Sequence, residues 1–76
     1  MSHGDVHTVR ATFGNLLASA DRMAMRGNET ARVRFLDRAA DILRIADRSR
    51  ASFPVAALLA MREDFRAAAD GTKVAA

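Results

Sequence analysis

Between Val6 and Met23 the apolar residues Val6, Val9, Phe13, Leu16, Ala20 and Met23 recur at steps of 3, 4, 3, 4 and 3. That step averages close to the 3.6-residue turn of an α-helix, so all six project from one side of it, whereas a strand would need a period of two. The spacing predicts an amphipathic helix over about 6–26, with Asp5 as its N-cap and Arg22 and Arg26 in a last turn whose dipole favours cations. Gly27-Asn28 is the stop. Gly14 is an interior glycine that costs about 1 kcal/mol relative to alanine, and it lies off the apolar stripe.

The pattern restarts twice. Asn28 is placed to cap a second helix over about 29–49, with Glu29 in its first turn. Here the apolar residues form two adjacent seams, Phe35, Ala39, Ile42 and Ala46 beside Val33, Leu36, Ala40 and Leu43. A helix with so wide an apolar arc touches two neighbours. Its other side carries Arg34, Asp37, Arg38, Asp41, Arg44 and Arg48, whose opposite charges fall three residues apart at Arg34–Asp37, Arg38–Asp41 and Asp41–Arg44. Pro54, acceptable only in a first helical turn, then opens a third helix over about 54–70. Its stripe is Leu58, Met61, Phe65 and Ala68, with Val55 and Ala69 beside it, and Asp70-Gly71 ends it before a frayed tail, 71–76.

Three helices, short connections and no strand pattern specify an all-α fold: a small antiparallel three-helix bundle forming a single domain over 1–76. Of the hydrophobic half of the chain, 17 residues are alanine, and no cysteine is available for a staple. A domain of this size buries only about 60% of its unfolded surface, so completion of the bundle by homodimerisation is the expected remedy. Ile45, Leu17 and Leu59 fall off the main stripes and are the residues that suggest it.

The absence of cysteine also excludes thiolate catalysis, disulfides and cysteine-ligated metals. The longest apolar run, Val55 to Met61, is far short of the roughly 20 residues that span a bilayer, and Met1 to Asp5 does not have the basic-then-apolar character of a signal peptide. A cytoplasmic location and no membrane partner are expected. The net charge of +3 comes almost wholly from arginine, with Lys73 the only lysine, and this Arg- and Ala-rich vocabulary fits a GC-rich bacterial genome. The excess is +1 over 1–28, +2 over 29–50 and zero over 51–76, a thin spread compared with the concentrated footprint of a strong nucleic-acid binder.

Catalytic inventory is poor. His3 and His7 are spaced i,i+4 but have no third ligand and Gly4 between them, so they read as exposed histidines near a chain end rather than a metal site. Glu63 and Asp64 point in different directions around their helix, Asp37 and Asp41 are flanked by arginines, and the four glycines are isolated. A non-enzyme without metal or cofactor is expected. The preferred function is a protein-protein interaction and regulatory module that binds a partner protein through an apolar helix face with an arginine rim, comprising Ile45, Val55, Leu59, Arg62 and Arg66. The alternative is a small nucleic-acid-binding regulator using Arg22, Arg26, Arg32, Arg34 and Arg38 on phosphates. The ending Lys73-Val74-Ala75-Ala76 resembles the short apolar endings by which bacterial ATP-dependent proteases choose substrates, which implies a protein whose level falls quickly.

Overall fold

The computed structural model of the chain describes residues 3–49 and 53–71. They form three helices and no strand: α1 (His3–Met25), α2 (Glu29–Arg48) and α3 (Val55–Asp70). The helix α1 starts three residues before the expected Val6, so Asp5 lies inside its first turns and is not its N-cap. The proposed tail signal lies outside the described residues.

Each break has a local cause. At the end of α1, Asn28 N–H donates to Met23 O at 2.9 Å and Gly27 N–H donates to Ala24 O at 3.0 Å. These two bonds close a Schellman motif, which requires a left-handed residue at the position Gly27 occupies with φ 74°. Asn28 then caps α2, its Oδ1 accepting from Ala31 N–H at 3.1 Å. Pro54 is extended, with ψ 141°, and its carbonyl accepts the first helical bonds of α3 from Ala57 and Leu58. Gly71, at φ 69°, closes α3 in the left-handed conformation.

The bundle closes around Phe13, Leu17, Ala20, Leu36, Ala39, Ala46, Phe53, Ala57, Leu58 and Met61, with Val6, Val9, Leu16, Phe35, Ile42, Leu43, Phe65 and Ala68 packed partly buried against them. Three core members, Leu17, Phe53 and Ala57, lie outside the expected stripes, and Val33, expected on an apolar seam of α2, is exposed. Leu17 falls off the 3-4 stripe of α1 yet is buried, because α1 is flanked by both other helices and so buries a wider arc than one seam. Phe53 precedes α3 and belongs to no helical pattern, yet it is 2% exposed and, with Phe13, is one of the two largest fully buried side chains. Its amide donates to Ser49 O at 3.0 Å, a bond that ties it to the end of α2. Four of the ten buried residues are alanines, so the helices approach closely while contributing little apolar area per residue.

The orientation of α3 against α2 is set at two points. The Arg32 guanidinium, early in α2, donates through Nη2 to the carbonyls of Ala68 at 3.2 Å and Ala69 at 2.9 Å, late in α3. Toward the other end, Arg62 of α3 reaches Asp47 of α2 at 2.5 Å. Early α2 meets late α3 and late α2 meets earlier α3, so the two helices are antiparallel.

Candidate functional site

The α2/α3 pair carries a groove on the side away from α1. Two small hollows flank the Arg62–Asp47 bridge, one of about 150 Å³ lined by Asp47, Val55, Leu58, Leu59 and Arg62, the other of about 210 Å³ lined by Ala40, Leu43, Arg44, Asp47 and Arg62. Its walls follow from helical geometry. On α2, Val33, Asp37, Ala40, Arg44 and Asp47 are spaced 4-3-4-3; on α3, Val55, Leu59, Arg62, Arg66 and Ala69 repeat the same spacing. That is the period that keeps side chains on one continuous seam of a helix. Among the described residues, three of the five exposed large apolar side chains lie on these seams, Val33 at 42%, Val55 at 68% and Leu59 at 54% exposed.

The sequence-derived interaction residues divide accordingly. Val55, Leu59, Arg62 and Arg66 share one side of α3, as expected. Ile45 does not join them: at about 100° per residue it lies about 160° around α2 from Asp47, on the charged side between Arg38 and Arg48. It is exposed, but it faces away from the groove. Arg62 is not a free rim cation either, because it is held by Asp47. Among the described residues Arg66 makes no ion pair. The sequence pattern puts Val33 and Ala40 on an apolar seam of α2 and Asp37 and Arg44 on its charged side, so it does not show that with Asp47 they form one seam, although their 4-3-4-3 spacing is legible.

The arginines of the nucleic-acid reading are not gathered into one free cluster. Arg32 is largely buried, its side chain 16% exposed, and its three nearest acceptors are the two α3 carbonyls and Glu29 Oε2 at 2.9 Å. Its guanidinium therefore joins helices and is unavailable for a phosphate. Arg22 donates to Ser19 Oγ at 2.8 Å on its own helix. Arg26 is exposed at the end of α1, and Arg34 and Arg38 stand one turn apart on α2 beside a depression that also involves Ala31, Phe35 and Asp37. Of the three expected pairs on the outer side of α2, Asp41–Arg44 forms. Among the described residues Asp37 has no ion-pair partner; it stays exposed beside Arg34 and Arg38 and weakens that surface as an anion site.

No buried side-chain polar atom lacks a hydrogen-bond partner among the described residues, and no group of three or more His, Cys, Asp or Glu there is placed to hold a metal. No described helix is long and apolar enough to cross a membrane. No family model, curated protein or solved structure matches the chain.

Proposed function

We propose that the protein is a non-catalytic interaction module that presents its α2/α3 groove to another protein chain and regulates by binding, with self-association into a homodimer as part of the same behaviour. The observation that supports this reading is the exposure of Val55 and Leu59 at a hollow between α2 and α3, with Val33 exposed on the α2 seam that also carries Asp47. A bundle whose core is four-tenths alanine by residue count gains from a fourth helix, because that helix covers apolar side chains the three-helix unit leaves wet. Arg66 and the arm of Arg62 border the same surface and set which charges a partner must bring. Mechanistically, an amphipathic helix lies in the groove with its apolar positions on Val55, Leu58 and Leu59, and its charged flank beside the arginines.

The test compares proteins captured from a cell extract by the wild-type chain, Leu59→Asp and Ile45→Asp, with far-UV circular dichroism on each bait. Capture is expected to be lost with a folded Leu59→Asp and kept with Ile45→Asp. Equal capture by all three overturns the reading. Binding instead to a short DNA duplex, lost steeply with added salt and on Arg34→Ala/Arg38→Ala, replaces it with the nucleic-acid reading.

A further inference from the structure

We propose that the occupant of the groove is a second copy of this chain, packed face to face about a twofold axis parallel to α2 and α3, so that α3 of each copy lies on α2 of the other and Arg66 pairs reciprocally with the partner copy's Asp37. The inference rests on the groove being the binding face and names what fills it.

The register comes from the chain itself. Val55 and Asp47 line one hollow, and at the other end of the pair Arg32 reaches the carbonyls of Ala68 and Ala69; both fit a register in which Val55 stands level with Asp47. Antiparallel helices rise by the same amount per residue, so 11 residues onward from Val55 is level with 11 residues back from Asp47. Those positions are Arg66 and Leu36, which places Arg66 beside Asp37 in height. The same count sets Leu59 level with Leu43, Arg62 with Ala40 and Ala69 with Val33. A twofold axis parallel to the helices preserves height and exchanges α2 for α3, so each of these becomes a contact between copies.

Charge selects this arrangement. Within the chain Arg62 is taken by Asp47 and Arg44 by Asp41. The two seam charges left over are Asp37 and Arg66, both exposed, of opposite sign, and on opposite walls of the groove. An axis perpendicular to the helices would instead set α3 against α3 and α2 against α2, and would lose the Asp37–Arg66 match. Around the ion pair, Leu59 of one copy meets Leu43 and the stem of Arg44, and Ala69 meets Val33, so apolar seam residues cover one another. The seam from Val33 to Asp47 is about 21 Å long and the helix pair about 20 Å wide. That footprint belongs to the small, weak class of interface, so association is expected to be weak and to depend on concentration.

The experiment is sedimentation equilibrium of the full chain from about 10 µM to 1 mM, with circular dichroism on every variant. Wild type is expected to move from 8.2 kDa toward twice that mass. Arg66→Asp and Asp37→Arg each create two like-charge contacts per dimer and are expected to weaken association at least about tenfold. The double variant Asp37→Arg/Arg66→Asp restores the opposite signs and should recover dimerisation. A wild-type chain that stays monomeric at 1 mM overturns the proposal, as do single variants that dimerise like wild type, or a folded double variant that does not recover. If the wild type is monomeric while Leu59→Asp still abolishes capture of another protein, the self-pairing fails and the groove reading stands. If Leu59→Asp changes neither self-association nor capture, both fail.

Discussion

Replacing Arg32 by methionine tests how α3 is held. The substitution keeps the buried stem of the side chain and removes the guanidinium, whose Nη2 donates to Ala69 O at 2.9 Å and Ala68 O at 3.2 Å while Nη1 donates to Glu29 at 2.9 Å. A hydrogen bond from a charged donor contributes about 1.5–3 kcal/mol, but the longer of the two is toward the upper limit of good geometry and the Ala69 carbonyl is on an exposed turn. Values near or below the bottom of that range therefore apply. The Glu29 carboxylate is 71% exposed, and an exposed i,i+3 pair adds only a few tenths of a kcal/mol. Both carbonyls belong to the last turn of α3 and accept water once the guanidinium is gone, so no full desolvation penalty follows. The expected loss is about 2 kcal/mol, out of a total that for 76 residues is roughly 4–11 kcal/mol. In a domain of this size that lowers Tm by about 10 °C. Urea denaturation supplies the free energy, and hydrogen exchange locates it: the last turns of α3 should lose protection before α1 does. Arg32→Lys should recover less than half, because a single ammonium cannot span carbonyls on one side and Glu29 on the other. A loss below about 0.5 kcal/mol for Arg32→Met, or equal loss of protection throughout the bundle, would refute the account of Arg32 as the α2/α3 tie.

Other substitutions follow from local geometry. Gly14→Ala should raise stability by about 1 kcal/mol, since a methyl there meets nothing within 4 Å and the helix interior prefers alanine; a lower urea midpoint would mean that another chain occupies that space. Phe53→Ala should cost about 3–5 kcal/mol by opening a cavity at a site that is 2% exposed, leaving much of the protein unfolded at 37 °C by circular dichroism. Asn28→Ala removes the side-chain acceptor that caps the start of α2 and should cost about 1 kcal/mol, read as a shift in urea midpoint without a change in slope. Leu59→Asp should change the urea midpoint little, because Leu59 is 54% exposed, whereas Leu58→Asp should abolish folding, because Leu58 is 4% exposed.

Much of the architecture is written in local pattern. The 3-4 spacing of Val6 to Met23, the Gly27-Asn28 stop, the Asn28 cap and the Pro54 restart specify three helices because each acts over a turn or two of chain, where hydrogen bonding and φ preference are decided by immediate neighbours. Periodicity also ranks most of the core correctly, since a residue such as Phe13 or Leu58 cannot leave its stripe without leaving the helix. The other assignments depended on contacts between residues far apart in the chain. Phe53 has no period to reveal it and is buried by packing into the core cluster that all three helices supply. Arg32 reads as one cation among eleven arginines until the end of α3 is brought against it, 36 residues away. Leu59 and Ile45 look alike as stray apolar residues in sequence, yet one faces a groove and the other a charged surface. That difference is made by the direction from which α3 approaches α2, which the ties at Arg32 and Arg62 set and which no single helix contains.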